Sequence, residues 1–400
     1  MKSLVVIGGG LVGLGTALAA QRRRIADAIV VLEKEPDVAR HQSGNNSGVL
    51  HCGLYYQPGS LKSTLAVSGI RSMVAFCQEH GIRHEVCGKI VLAVNDAEVE
   101  RLRGLHQRGE ANGLQGLRWL SPSEIEEREP SARGKAALLV PEEGIVDYPA
   151  VAQCMKALIV EQGGRVITDA EVTGITRDGA RQVVQTKSGE HRADFIVNCG
   201  GLHCDRIARM AGLRPRCRIV PFRGEYFKLS SEGERLVRHL IYPVPDPRFP
   251  FLGVHFTRLI HGGIEAGPNA VLATKREGYR KTDFSLRDVA DFATFGGFYK
   301  FLVRYPKAAI SELGNSLFKS IFLKNLQRLV PDIMDEDLSD HGGAGVRAQA
   351  IDHEGKPVFD FFFEEVLGQL HVLNAPSPGA TASLAIGEHL AAMISGRSSV

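Results

Sequence analysis

Three glycines near the start of the chain have the spacing of a dinucleotide-binding turn. Gly8, Gly10 and Gly13 lie in the segment GGGLVG, between the apolar run SLVVI and the helical pattern LVGLGTALAAQRR. In such a turn the first glycine permits a tight bend, the second lets backbone approach a diphosphate, and the third lets the helix pack on the strand. The amino end of the helix attracts the anion. The sequence therefore predicts a nucleotide site here.

An acidic residue ends the next predicted strand, IVVLEK. Glu33 can accept hydrogen bonds from a ribose 2′-hydroxyl, and its charge repels a 2′-phosphate. The position therefore disfavours NADP. We expect the following residue, Lys34, to contact the same cofactor.

Two segments far along the chain favour FAD over NAD as this cofactor. Residues 341–349, HGGAGVRAQ, form a second glycine-rich turn, and residues 374–389, NAPSPGATASLAIGEH, place small residues before a predicted helix. A long, buried cofactor that crosses the domain explains both segments, whereas an NAD-dependent dehydrogenase leaves them unexplained. The residues predicted to bind FAD at this end are Gly345, Arg347, Gly379, Ala380 and Thr381.

The segment RHQSGNNSGVLHCGLYY, residues 40–56, follows the second strand and is unusually rich in glycine, asparagine and histidine. In FAD enzymes the loop at this place passes the flavin, and small residues leave room for its ring. His41 is predicted to bind the cofactor, and a covalent bond to the flavin is an alternative that the residues leave open. The other residues predicted to bind FAD from this segment and from later strands are Ser43, Gly44, Asn46, Ser47, Gly48, Val172 and Gly200.

These residues require a strand–turn–helix unit at the start of the chain and again near its end. Residues 218–275 are instead rich in strand formers and turns. We predict a mixed α/β fold, in which a Rossmann-like FAD-binding domain is interwoven with a substrate domain on a mixed, largely antiparallel sheet. The predicted FAD domain comprises 1–80, 145–215 and 335–400. The substrate domain comprises 81–144 and 216–334, with a basic helical excursion at about 283–330.

Composition excludes several classes of protein. Of 400 residues, 44% are hydrophobic and 23% charged, as in globular proteins, and a net charge of +3 gives no case for a nucleic-acid partner. The seven cysteines are scattered without zinc-type spacing, so no metal site is predicted and a reducing compartment is favoured. A strand that begins by Ser3 leaves no room for a signal peptide, which predicts a cytoplasmic location.

Several blocks together resemble the L-2-hydroxyglutarate dehydrogenase/oxidase family of the D-amino-acid-oxidase-like superfamily. They are the N-terminal glycine turn, RHQSGNNSGVLHCGLYY, FRGEYF, GVHFTR, GPNAVLA, KREGY and GVRAQA, and they span the chain from Val5 to about Leu390. The resemblance implies FAD-dependent oxidation of L-2-hydroxyglutarate to 2-oxoglutarate, with hydride transfer from C2 to flavin N5. Quinone and oxygen are the acceptors considered.

Such a reaction needs a base for the hydroxyl proton and cationic or hydrogen-bonding groups for two carboxylates. His51 in SGVLHCG is the favoured base, because it lies in the segment that passes the flavin and has a pKa range suited to the role. His255 in GVHFTR is the alternative. The residues predicted to bind the carboxylates are Arg347, Arg258, Arg223 and Tyr55. Strand alternation places His255 and Arg258 on opposite faces unless the strand bends.

Residues 295–330 combine seven aromatic residues with six basic residues and a single acid, Glu312. Basic helices with aromatic faces are typical of membrane-surface anchors. The segment predicts contact with a membrane surface or a membrane quinone, on the inner face of the membrane. The alternative is a helical excursion that packs on its own protein.

Two other functions fit the same residues. A sister flavoenzyme could oxidise an amino acid or glycerol 3-phosphate, and a flavin-containing electron carrier would have no substrate of its own. A dicarboxylate substrate requires two anchoring points, so substitution of the arginines and a substrate screen separate these alternatives.

Overall fold

The computed structural model describes residues 1–246, 252–306, 318–339 and 342–396. The predicted nucleotide-binding turn follows a central strand of a six-stranded sheet. In sheet order its strands are Phe362–Val366, Gln369–Asn374, Phe195–Asn198, Ser3–Ile7, Ala28–Leu32 and Arg165–Ile167. All neighbours are parallel except the first pair, and the inner strands are apolar because both faces of the sheet are covered.

Helices cover one face of this sheet, and a smaller sheet covers the other. Leu11–Arg22 packs between Tyr148–Glu161 and Ser383–Ser395, and the last of these also contacts Leu61–Glu79. On the opposite face, Ile175 and Val184 of a three-stranded antiparallel sheet join the apolar core beneath the central strands. The strands of that sheet are Val172–Asp178, Arg181–Thr186 and Gly189–Ala193, and the helical elements beside it are Gly201–His203, a 3₁₀ turn, and Cys204–Met210.

An eight-stranded sheet forms the second large layer. Its strands in order are Leu338–Ser339, Phe227–Leu229, Ile264–Gly267, His255–Arg258, Leu240–Pro243, Lys89–Ala93, Ala136–Val140 and Arg118–Leu120. Only the pairing of Leu240–Pro243 with Lys89–Ala93 is parallel. Helices Asp96–Ala111, Pro122–Arg128 and Lys319–Gln327 pack on it. Pro122–Arg128 begins with a capping box, in which Ser121 and Glu124 bond each other's backbone amides.

Two further three-stranded sheets connect these layers. One contains Val271–Leu272, Cys217–Glu225 and Ala344–Asp352, and the other contains Val49–Leu50, Gly144–Val146 and His84–Glu85. The mixed α/β architecture, with a Rossmann-like parallel sheet beside a largely antiparallel one, confirms the predicted fold class. The residue boundaries of the two domains remain a prediction.

The basic aromatic stretch folds into short helices. They are Leu286–Ala293, Gly296–Arg304 and Lys319–Gln327, and residues 307–317 lie outside the described part of the chain. Phe295, Phe298, Phe301 and Phe322 are buried against the protein itself. The remaining helical elements are Ser231–Glu234 and the 3₁₀ turn Asp335–Asp337. Among the described residues, no helix has both the length and the apolar character needed to cross a bilayer.

Candidate active site

The glycine turn holds bare backbone at the carboxyl end of the central strand. Gly8 has φ +112°, and a Cβ on it would lie 2.4 Å from the carbonyl oxygen of Cys199. A Cβ on Gly13 would lie 2.0 Å from the carbonyl oxygen of Gly8. Gly10 caps helix Leu11–Arg22 without a side-chain hydrogen bond, and no acidic residue occupies the first turn. The arrangement fits an anion at this helix end.

Glu33 is fixed beside the turn by backbone amides. Its Oε2 accepts a hydrogen bond from the Gly9 amide at 2.7 Å, and its Oε1 accepts one from the Glu35 amide at 2.9 Å. The side chain is buried, yet it lines the large cavity described next. A carboxylate held in this way can accept hydrogen bonds from ribose hydroxyls, as the sequence predicted.

A cavity of about 1110 Å³ runs from this turn to the eight-stranded sheet. Ligand sites of drug-sized molecules occupy roughly 300–1,000 Å³, so the space suits a ligand as large as FAD. The predicted residues that line it are Gly8, Gly10, Glu33, Lys34, His41, Ser43, Asn46, Ser47, His51, Tyr55, Val172, Gly200, His255, Gly345, Arg347, Gly379, Ala380 and Thr381. Residues from both ends of the chain and from its middle therefore meet around one space.

Five predicted residues do not line this cavity. Gly13, Gly44 and Gly48 lie behind its wall, where they allow close backbone packing. Arg258 forms a two-bonded ion pair with Glu85, at 3.0 and 3.1 Å, because strand alternation turns it away from His255. Arg223 is buried, donates to Glu225 at 2.8 Å and to the carbonyl of Arg280 at 3.1 Å, and thus has its own partners.

His51 is paired with a buried carboxylate. Its Nδ1 lies 3.4 Å from Oε2 of Glu143, and because a carboxylate only accepts, Nδ1 is the donor and Nε2 remains available to take a proton. The backbone amide of His51 donates to the hydroxyl of Thr381 at 3.2 Å, and that hydroxyl lies 2.6 Å from the hydroxyl of Tyr148. His51 is therefore held through both its ring and its backbone.

Glu143 carries a permanent charge because of Lys89. The ammonium of Lys89, fully buried, lies 2.6 Å from Oε2 of Glu143. Burial alone would raise the pKa of Glu143, but Lys89 and His51 lower it below the usual range of a carboxylate. Oε1 of the same carboxylate accepts from the Cys52 amide and thiol, each at 3.2 Å. An ionised Glu143 stabilises a protonated His51.

His255 is a poorer base than His51. Its Nδ1 donates to the carbonyl of Gly253 at 2.9 Å, and its ring stacks on Tyr242 with centroids 3.8 Å apart. Burial lowers the pKa of His255 to about 3, and the charge of Arg347 adds to the effect. A neutral His255 can accept a hydrogen bond through Nε2, but it holds a proton weakly.

Tyr55 offers an unsatisfied donor. Lys89 lies 4.5 Å from the centroid of its ring, and the buried hydroxyl finds no hydrogen-bond partner in the described part of the chain. Burial raises the pKa of Tyr55 well above its ordinary value, so the hydroxyl stays protonated. A buried donor without a partner is costly unless a ligand satisfies it.

His41 lies in a compact ionic cluster at the Glu33 end of the cavity. Its Nδ1 is 2.8 Å from the hydroxyl of Tyr279, and its Nε2 is 2.9 Å from Glu35 and 3.2 Å from Glu277. Lys34 pairs with both carboxylates, so their charge is balanced in part from within the chain. The three groups Glu35, His41 and Glu277 have the spacing of metal ligands, but Lys34 already serves as their cation. The covalent flavin bond through His41 stays a prediction.

Sequence reasoning missed four residues of the reaction centre: Lys89, Glu143, Tyr148 and Tyr242. Lys89 offered the one usable signal, because a lysine at the start of the apolar strand KIVLA is buried and must find a counter-ion. Its partner Glu143 lies 54 positions later, in the loop sequence PEEG, and nothing in the neighbouring sequence distinguishes this glutamate from others. Pairings this distant follow from the sheet register, which places Lys89 opposite Val140.

Comparisons with known proteins identify the family of the chain. A family model described as FAD dependent oxidoreductase (DAO) matches residues 3–393. The chain is 44% identical to L-2-hydroxyglutarate dehydrogenase of Escherichia coli (strain K12), over 98% of this chain and 93% of that protein. It is 45% identical to the mitochondrial L-2-hydroxyglutarate dehydrogenase of Homo sapiens, over 97% and 87%.

Solved structures share the fold at low sequence identity. An FAD-bound L-alpha-glycerophosphate oxidase from Mycoplasma pneumoniae has a TM-score of 0.78 at 21% identity, over 99% of this chain and 95% of that one. Glycine oxidase from Geobacillus kaustophilus has a TM-score of 0.73 at 19% identity, over 98% and 95%. The resemblance found in the sequence is confirmed, and the chain belongs to the FAD dependent oxidoreductase (DAO) family.

Proposed function

We propose that the protein oxidises L-2-hydroxyglutarate to 2-oxoglutarate. The observation that carries the proposal is the identity of 41–46% to L-2-hydroxyglutarate dehydrogenases over nearly the whole chain. The cavity supports the proposal independently. The imidazole of His51, the guanidinium of Arg347 and the hydroxyl of Tyr55 all line it, and His51 is paired with the carboxylate of Glu143. These are the groups that oxidation of an anionic hydroxy acid requires.

The glycine turn, Glu33 and the segments around Gly345 and Thr381 would hold FAD, which supplies the hydride acceptor. His51 takes the hydroxyl proton at Nε2, and Glu143 stabilises the resulting imidazolium through Nδ1. Arg347 and Tyr55 hold the carboxylate next to the reacting carbon. Tyr242 and neutral His255, whose rings stack on each other beside His51, line the same cavity and orient the hydroxyl without competing for its proton.

A substrate screen with an artificial electron acceptor tests this assignment. L-2-Hydroxyglutarate is expected to have a kcat/KM far above that of glycerol 3-phosphate, glycine or L-proline. Preference for glycerol 3-phosphate or an amino acid would contradict the proposal and identify a sister flavoenzyme. Turnover of none of these compounds by a fully yellow protein would favour an electron carrier instead.

Glu143 has two proposed roles, as the counter-ion of Lys89 and as the carboxylate that positions His51, and substitutions can separate them. The variant Glu143→Gln leaves Lys89 buried without a counter-ion, and loss of one partner of a buried pair costs about 3–5 kcal/mol of stability. The double variant Lys89→Met, Glu143→Gln is expected to recover most of that stability, because neither charge remains. Its oxidation rate is expected to stay low, since His51 still lacks its carboxylate. A double variant with wild-type oxidation rate would contradict the positioning role of Glu143.

We also propose that the electrons pass to a quinone at a membrane surface. Although four phenylalanines of the basic stretch are buried, other large apolar side chains in it are exposed: Tyr299, Val303, Phe318 and Ile321. Lys300, Arg304 and Lys324 lie on the same short helices. Exposed aromatic and aliphatic groups flanked by cations suit an anionic lipid surface.

Sedimentation with vesicles that contain anionic lipid tests this surface. Val303→Glu is expected to reduce the bound fraction severalfold, because a charge enters the apolar patch. Leu367→Glu is the matched control. Leu367 is 72% exposed and Val303 is 81% exposed, but Leu367 lies in the turn between strands Phe362–Val366 and Gln369–Asn374. Equal sedimentation of both variants and the wild type would contradict membrane contact through this stretch.

A further inference from the structure

Lys62 places an ammonium group at the wall of the cavity, one aromatic ring away from the reaction centre. Its Nζ lies 4.5 Å from the centroid of the Tyr56 ring, and both residues line the cavity. Tyr56 directly follows Tyr55, the residue whose hydroxyl lacks a partner. The chain therefore puts a cation and an unsatisfied donor along the same stretch of wall.

The ammonium of Lys62 is only partly satisfied by the protein. It donates to the carbonyl oxygen of Phe359 at 3.2 Å, and no carboxylate oxygen lies within ion-pair distance of it among the described residues. An ammonium has three donors, so two remain for other partners. Lys89 is the contrast, because it is fully buried and Glu143 already pairs with it at 2.6 Å.

The nearest acid is committed elsewhere. Asp360 accepts hydrogen bonds from the backbone amides of Lys62, at 2.7 Å, and of Leu61, at 3.2 Å. It thereby fixes the first turn of helix Leu61–Glu79 and the origin of the lysine side chain. Burial lowers the pKa of Lys62 to about 8, while the charge of Asp360 opposes the shift. An anion bound at the ammonium would favour its charged form.

Arg108 is the other cation of this wall, but it is less suited to bind a ligand. Its Nη1 donates to the carbonyl oxygen of Tyr55 at 3.0 Å, and the residue is exposed. Water screens an exposed guanidinium more than a half-buried ammonium. Arg347, deeper in the cavity, serves the carboxylate beside the reacting carbon.

We propose that Lys62 binds the distal carboxylate of the substrate and thereby selects dicarboxylates over hydroxy acids with an apolar end. The inference rests on the proposed function, since only a substrate with two carboxylates needs a second cation. Arg347 and Lys62 would then hold the two ends of the molecule, and Tyr55 would lie between them.

The test compares two substrates that differ at one end. For Lys62→Met, the ratio of kcat/KM for L-2-hydroxyglutarate to that for L-2-hydroxyvalerate is expected to fall by about tenfold to a hundredfold, the value of a charged hydrogen bond. Lys62→Arg is expected to keep part of the preference. Lys135→Met is the matched control, because that lysine is exposed and pairs with Asp96 at the surface. An unchanged ratio in Lys62→Met would overturn the proposal.

A binding measurement separates this inference from the proposed function. Glutarate has both carboxylates but no hydroxyl to oxidise, and its binding to the FAD-loaded protein can be followed by the change in the flavin spectrum. Lys62→Met is expected to weaken glutarate binding by about tenfold or more relative to Lys135→Met. Equal affinities would overturn the role of Lys62 even where the wild type oxidises L-2-hydroxyglutarate. Weakened binding without any such oxidation would support Lys62 and contradict the proposed function alone.

Discussion

The variant His51→Ala is expected to slow reduction of bound FAD by L-2-hydroxyglutarate by about 10²- to 10⁴-fold, the range that a positioned base contributes. We propose His51 as the base because Nε2 is available while Nδ1 faces the ionised Glu143. His255 does not replace it, since burial lowers the pKa of His255 to about 3. Rapid mixing in the absence of oxygen measures the rate without involving the electron acceptor.

A second histidine–glutamate pair provides the control for this variant. His106 lies 3.8 Å from Glu110 on helix Asp96–Ala111, and neither residue lines the cavity. His106→Ala is expected to reduce FAD at the wild-type rate. If His51→Ala binds FAD normally and is also reduced within about threefold of the wild-type rate, His51 is not the base.

The variant Arg276→Met is expected to lower the free energy of unfolding by about 3–5 kcal/mol, since the buried carboxylate of Asp205 loses its closest cation and keeps the more exposed Arg209, at 3.3 Å. Arg276 is 1% exposed and binds Asp205 at 3.0 Å and Asp291 at 2.6 Å. It also donates to the carbonyl oxygens of Leu202, at 2.6 Å, and Ile219, at 3.2 Å. One guanidinium thus joins the segment before helix Leu286–Ala293 to helix Cys204–Met210 and to strand Cys217–Glu225.

The control for Arg276 is an ion pair of equal length at the surface. Arg192 lies 2.6 Å from Asp178, and both side chains are more than half exposed, at 54% and 62%. Arg192→Met is expected to change stability by less than about 1 kcal/mol, because water screens the pair. Urea denaturation of both variants gives the comparison. Equal losses of stability would show that burial of the Arg276 network has no special energetic role.

The cofactor end of the site could be predicted from the sequence because its determinants are local. Gly8, Gly10, Gly13 and Glu33 lie within one strand–turn–helix–strand unit, and each has its role through neighbouring backbone. Strand alternation also predicted that His255 and Arg258 lie on opposite faces of their strand. The ion pair between Arg223 and Glu225 follows the same rule, since residues two apart on a strand share a face, although the prediction did not use it.

The reaction centre could be predicted only in part, because its electrostatics are assembled from distant segments. His51 was identified from its position in a glycine-rich loop, whereas Glu143 and Lys89 become its partners only through strand pairing. The basic aromatic stretch shows the same limit. Its pattern indicated apolar helix faces but not which apolar residues are buried. Phe298 and Phe322 pack in the protein's own core, whereas Val303 is exposed at the surface.

The central claim is most directly tested by anaerobic reduction of the purified yellow protein. The flavin absorbance band is followed while L-2-hydroxyglutarate is added, with the D-isomer as the control. Bleaching by the L-isomer alone is expected, with formation of 2-oxoglutarate in an amount equal to the reduced FAD. A fully FAD-loaded protein that neither isomer bleaches, or that the D-isomer bleaches equally well, would contradict it.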